Sequence, residues 1–163
     1  MTDRFDILFV CMGNICRSPT AHGVFRQRVR DAGLAEQVQV ASAATHDLHT
    51  GEAPDPRSVA HAGKRGYDLS DLRASALTPE RLARADLVLV MDEANLAEVL
   101  ARCRADQRDK VVPLTRFCSR HAATAVPDPY YGDTADFERV LDLVEDASDG
   151  LLDFVRSGRR AAS

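Results

Sequence analysis

Long apolar runs are missing from this chain. The longest, Ile7 to Met12 and Leu87 to Met91, fall well short of the roughly 20 residues that a membrane-spanning helix needs. No membrane segment is expected. A basic excess is missing as well: 21 Lys and Arg stand against 25 Asp and Glu, a formal charge of −4, so no net positive field draws in nucleic acid. Arg26, Arg28 and Arg30 form a local basic cluster, which on a helix reads as a solvated face. The N-terminal residues Met1 to Asp6 carry no basic region followed by an apolar stretch and cleavage site, so no export signal is expected and the location is taken as cytoplasmic.

Cysteines spaced as in a zinc knuckle are also lacking. Cys11, Cys16, Cys103 and Cys118 supply no paired zinc knuckle, and without an export signal they are expected to be reduced thiols. Metal is not expected. Cys103 and Cys118 read as packing residues.

The 163 residues, 45% hydrophobic and 28% charged, suit one globular domain with its own core, set here at residues 1–157 with a flexible tail over 158–163. Phe5 to Val10 is a buried strand running to about Cys11. Ala21, Val24, Phe25 and Val29 recur at helical spacing, with Ser18 read as the N-cap, Pro19 in the first turn and Gly33 closing the helix. Val38 to Ser42 is a second strand, and a helix follows over about residues 55 to 65. Thr78-Pro79-Glu80 opens a short helix, Asp86 to Met91 is a third strand, Asp92 to Ala105 a helix, and Lys110 to Leu114 a fourth strand. A last helix carries Phe137, Val140, Leu141, Val144, Leu151, Leu152 and Val155 on one face. Strands alternating with helices predict an α/β fold with a parallel sheet covered on both faces.

In such folds ligands bind beyond the carboxyl ends of the strands. The first of these ends reads Val10-Cys11-Met12-Gly13-Asn14-Ile15-Cys16-Arg17-Ser18-Pro19. It has neither the glycines and lysine of a Walker loop nor a GxGxxG turn. Instead a cysteine and an arginine bracket five residues at a strand-to-helix turn. Backbone N–H groups and the helix dipole cradle a phosphate-like dianion there. The same donors and Arg17 favour the thiolate of Cys11, and Ser18 can add a hydroxyl hydrogen bond. Arg17 can hold two phosphate oxygens through the transition state. Taken alone, Cys11 would read as a buried core cysteine. The whole constellation reads as a phosphatase nucleophile in a phosphate-binding loop.

The chain closely resembles the low-molecular-weight protein tyrosine phosphatases, whose signature V-C-x-G-N-x-C-R-S-P is matched by Val10 to Pro19. The resemblance extends through Asp86 to Asn95 and Asp128-Pro129-Tyr130-Tyr131-Gly132, and it implies a sheet of four parallel strands. Hydrolysis needs one carboxyl group to serve first as acid and then as base. Spacing does not choose among 18 aspartates and 7 glutamates, although Asp128, between two prolines and beside two tyrosines, is placed like a functional loop residue. The resemblance assigns the role to Asp128. It also implies a phosphocysteine intermediate with no cofactor, a loop network through Asn14, and a Cys16 able to trap an oxidised Cys11 as a disulfide.

Met12, Gly13, Asn14, Ile15, Cys16 and Ser18 are the expected phosphate-binding residues, and Tyr130 and Tyr131 the aromatic walls for a phosphotyrosine ring. Where the family commonly has a second aromatic wall, this chain has Leu48; His46, His49 or Leu48 itself takes its place. A His46/His49 metal pair is the weaker reading. Asp92 reads as a helix N-cap.

The expected partner is a phosphotyrosine protein or peptide acted on by a monomer. Three alternatives remain. Arsenate reduction on this fold would need a closely spaced cysteine relay. Phosphoarginine hydrolysis goes with Thr at the position of Ile15. A phosphate-binding or phosphocysteine carrier would lack the acid and base that destroy the intermediate.

Overall fold

The computed structural model describes residues 4–157; the expected tail over 158–163 lies outside them. Four strands, β1 (Phe5–Cys11), β2 (Val38–Ala44), β3 (Leu87–Val90) and β4 (Val111–Pro113), make one sheet in the order β2-β1-β3-β4. Every pairing is parallel, with Cys11 opposite Ala44 and Val10 opposite Val90. The helices are α1 (Arg17–Asp31), α2 (Pro56–Lys64), α3 (Pro79–Arg84), α4 (Glu93–Arg102) and α5 (Thr134–Arg156).

Strand side chains alternate between faces, and each face has its own core. Ile7, Phe9, Cys11, Leu87, Leu89 and Met91 pack with Ala21, Val24 and Phe25 of α1 and Val140, Leu141, Val144 and Leu151 of α5. Leu8, Val10, Val88 and Val90 pack with Leu82 of α3 and Val99 of α4. The fold is therefore the α/β architecture expected, with apolar strands because both faces are covered. Phe9 and Leu89 are fully buried, so truncating either to alanine is expected to cost about 2–5 kcal/mol.

Strand ends shift by one or two residues from the sequence reading, and two helix boundaries differ for a physical reason. The helix after β1 starts at Arg17 with Cys16 as its cap, and no side chain caps it. Ser18 is inside the helix because its hydroxyl is taken by Cys11 and Asn14. The helix after β3 stops at Arg102 and Cys103 turns extended, since a 3-10 turn over Ala105–Lys110 carries the chain into β4. Gly33 ends the first helix as expected, at φ 74°, a backbone region in which glycine carries no Cβ penalty.

Candidate active site

β1 ends and α1 begins within six residues, so the segment from Cys11 to Arg17 wraps around a short turn at the carboxyl edge of the sheet. The end of β2 ties this turn down: the N–H groups of Thr45 and His46 donate to the carbonyls of Cys11 (2.9 Å) and Met12 (3.0 Å). Asn14 sits at φ 57°, a left-handed conformation that asparagine tolerates better than most residues. Its side chain pins that turn. Asn14 Oδ1 accepts from the Ser75 N–H (3.0 Å), and Nδ2 donates to Ser18 Oγ (2.6 Å).

Ser18 Oγ in turn lies 3.0 Å from Cys11 Sγ, and when the sulfur is a thiolate the hydroxyl is the donor of that pair. The backbone N–H groups of Asn14 (3.3 Å) and Ser18 (3.4 Å) also donate to Sγ. Three donors converge on a sulfur that is nearly inaccessible at the base of a cavity, an arrangement suited to a thiolate.

Arg17 is 3% exposed and held from two sides. Its Nη1 donates to Asp92 Oδ2 (2.5 Å) and to the Val126 carbonyl (3.1 Å), while Nη2 lies 3.7 Å from Asp128 Oδ2. Asp92 also caps α4 by accepting from the Asn95 N–H (2.8 Å), so the sequence reading of a cap holds, and the same carboxylate has a second duty at the arginine. Asp128 is partly exposed, and its Oδ1 accepts from the Tyr130 N–H (3.1 Å).

The cavity has a volume of about 190 Å³ and collects most of the expected residues. Cys11, Met12, Gly13, Ile15, Cys16 and Arg17 form its floor and sides, and Leu48, Asp128, Tyr130 and Tyr131 its rim. Asn14 and Ser18 do not line it; both are buried and hydrogen-bonded to Cys11 Sγ. His49 lines the wall beside Gly13, where a Cβ would come within 3.1 Å of the imidazole. The wall left open by the sequence is thus built by Leu48 and His49. His46 and His49 turn to different partners, Thr45 and Glu52. Among the described residues, no group of three or more His, Cys, Asp and Glu side chains is arranged to hold a metal ion.

Burial pushes the Cys16 thiol up to about 12, with the facing Asp55 carboxylate adding to the effect and the Ser58 hydroxyl opposing it. Asp55 escaped the sequence reading, as did Arg57. Their only trace there is the Asp-Pro start of α2, with Asp55 as its N-cap.

Residues 6–161 match the family described as low molecular weight phosphotyrosine protein phosphatase. The chain belongs to that family. The low molecular weight protein-tyrosine-phosphatase of Streptomyces coelicolor is 44% identical over 156 residues, covering 93% of this chain and 94% of its own. The low molecular weight protein-tyrosine phosphatase A of Mycobacterium bovis is 41% identical over 157 residues, covering 95% and 94%. A crystal structure of the protein tyrosine phosphatase from Entamoeba histolytica, with Hepes in its active site, superposes with a TM-score of 0.92 at 35% identity, covering 96% of this chain and 99% of that one. Members of this phosphatase family are hydrolases, and the segment from Cys11 to Arg17 fits its phosphate-binding loop.

Proposed function

We propose that this phosphatase hydrolyses phosphotyrosine in proteins or peptides, acting as a cytoplasmic monomer. The carrying observation is the meeting of three groups in one cavity: the donor-ringed sulfur of Cys11, the braced guanidinium of Arg17, and the Asp128 carboxylate 3.7 Å from it. The Cys11 thiolate attacks phosphorus. Arg17 and the loop amides hold the nonbridging oxygens as charge spreads over them. Asp128 gives its proton to the leaving phenolate, then takes one from the water that cleaves the phosphocysteine. Inorganic phosphate leaves and the thiolate is restored.

Depth favours phosphotyrosine over phosphoserine. The sulfur lies at the bottom, and the rim carries Leu48, Tyr130 and Tyr131, so a long flat side chain reaches it while contacting apolar walls. Arsenate reduction is the less supported reading. Cys103 packs into the core under α3 and α4, and Cys118 into the core on the opposite face of the sheet, so they do not form a relay with each other at Cys11.

The deciding experiment is phosphate release from a phosphotyrosine peptide beside phosphoserine and phosphoarginine substrates, with a chelator present and Cys11→Ser as control. Selective turnover of phosphotyrosine that is abolished in Cys11→Ser is expected. Turnover of phosphoarginine in preference, or a phosphocysteine that accumulates without hydrolysis, would replace this reading.

A further inference from the structure

The cavity is assembled from two segments far apart in sequence, the phosphate loop at 11–17 and the acid loop at 126–132, and one short stretch touches both. At the start of α2, the Asp55 N–H donates to the Ile15 carbonyl of the phosphate loop (2.8 Å). The Asp55 carboxylate is buried and grips Arg57 with both oxygens, Oδ1 to Nε (3.0 Å) and Oδ2 to Nη2 (2.8 Å). The same Nη2 donates to the Tyr130 carbonyl in the acid loop (2.9 Å). The guanidinium lies over the Phe137 ring at 4.6 Å and near the Tyr130 ring at 5.6 Å.

Tyr130 continues the path on its other side, since its N–H is the donor that holds Asp128 Oδ1. An unbroken series of contacts therefore runs from the Ile15 carbonyl through Asp55, Arg57 and Tyr130 to the Asp128 carboxylate. Arg57 does not line the cavity. A planar fork suits this place because one guanidinium satisfies two carboxylate oxygens and a carbonyl while stacking on a ring, which an ammonium does not do.

We propose that Arg57 is a positioning residue for the proton transfer: by bracing the Tyr130 peptide against Asp55, it fixes the Asp128 carboxylate over the leaving oxygen. The assignment rests on the reading of Asp128 as general acid. A proton donor is sensitive to small displacements. Loss of the brace therefore falls hardest on substrates whose leaving oxygen most needs the proton.

The test compares kcat/KM for p-nitrophenyl phosphate, whose leaving group departs with little help, against phenyl phosphate and phosphotyrosine. Arg57→Ala is expected to lose about tenfold on the two basic leaving groups and about threefold or less on p-nitrophenyl phosphate. Arg57→Lys recovers part of the loss. In an Asp128→Asn background the Arg57→Ala change costs less than about twofold, because the group it positions is already gone. Should Arg57→Ala fail to fold, Arg57→Gln and Arg57→Lys carry the same comparison. An equal loss on all three substrates, no loss, or an undiminished loss in the Asp128→Asn background overturns the proposal, and the leaving-group dependence of Asp128→Asn alone then still supports the acid. If Asp128→Asn itself shows no such dependence, the acid reading fails and the role of Arg57 fails with it.

Discussion

Arg17 Nη1 lies 2.5 Å from Asp92 Oδ2, and that carboxylate belongs to the cap of α4. The pairing resolves a difficulty posed by the site. An arginine that is 3% exposed and waiting for a dianion would be an uncompensated buried charge. Asp92 compensates it on Nη1 and leaves Nη2 toward the cavity beside Asp128.

Asp92→Asn separates the two duties of this residue. Asparagine caps a helix about as well as aspartate, so the stability lost in Asp92→Asn reports the uncompensated guanidinium and not the cap: the melting temperature is expected to fall, and kcat/KM to fall by about tenfold as Arg17 loses its charged brace. Asp92→Ala loses the cap too, at a further cost of about 1 kcal/mol. Steady-state kinetics beside thermal melts measure both. Unchanged kcat/KM in Asp92→Asn would show that the contact with Arg17 is idle.

The cap of Asp92 was legible in sequence because a cap is local: the accepting N–H is three residues away. Its contact with Arg17, 75 residues away, was not, since no spacing rule reports a pair that only the β1-β3 register brings together. The same distinction governs the rest. The strands and amphipathic helices follow from apolar periodicity, and the segment from Cys11 to Arg17 is contiguous, so its chemistry is visible before the fold is known. Ser18 reads as a cap because serine near a helix start is a cap by local rule; the competing partner, the Cys11 sulfur, is supplied by the folded turn. Arg57 left no signal beyond the local Asp-Pro cap because each of its partners other than Asp55 is a backbone carbonyl or an aromatic face more than 70 residues away.

Behind the phosphate loop, the His22 imidazole is hydrogen-bonded to Ser42 Oγ (2.9 Å), and burial, helped by the charge of Arg26, pushes it down to about 4. The folded protein therefore keeps His22 neutral after the unfolded chain has begun to take up the proton near pH 6.5. Stability from this group is fully present above about pH 6.5 and is lost as the pH falls toward about 4. Each pKa unit corresponds to about 1.4 kcal/mol, so urea denaturation should show a loss on the kcal/mol scale across this window. His22→Gln is expected to flatten it. A wild-type slope that persists in His22→Gln would assign the dependence to other groups.

A second acid transition is separable from the first. Asp146 on α5 is fully buried, and although burial opposes its charge, it is held well below the usual carboxylate range by the Ser119 N–H, the His121 side chain, and the N–H groups of Arg120 and His121. Its folded pKa is depressed, so its contribution is present above the unfolded carboxylate value near 4 and is lost as the pH falls below it. Asp146→Asn should remove the steep part of the acid transition below about pH 4 while leaving the pH 4 to 6.5 window in place. It should also lower the free energy of unfolding at neutral pH by several kcal/mol, because the loop at 119–121 loses a charged acceptor.

Cys16 shares the cavity with Cys11 but stays a thiol at neutral pH, with burial pushing it up to about 12. Peroxide is expected to oxidise Cys11 to the sulfenic acid, after which the Cys16 thiol condenses with it, forming the S–S bond and releasing water. Wild-type activity should then return with dithiothreitol. In Cys16→Ser the sulfenic acid has no neighbour to capture it and goes on to the sulfinic acid, so inactivation becomes irreversible. Mass spectrometry distinguishes the two products. Equal recovery in both proteins would remove Cys16 from the redox chemistry.

The rim offers the most direct route to changing preference. Leu48 is 61% exposed and lines the same cavity as the Tyr130 and Tyr131 pair, whose rings lie 4.9 Å apart and nearly perpendicular. An aliphatic side chain there covers a substrate ring without the offset or edge-on contact that an aromatic partner provides, worth about 0.5–1.5 kcal/mol beyond its area. Leu48→Trp is therefore expected to lower KM for a phosphotyrosine peptide by about two- to tenfold and leave kcat nearly unchanged, because the ring is bound as well in the ground state as in the transition state. A small aliphatic phosphate, which has no ring to stack, should show no gain. An equal gain on both substrates would mean that tryptophan acts by shielding the cavity from water, and the wall would then have no part in selecting aromatic substrates.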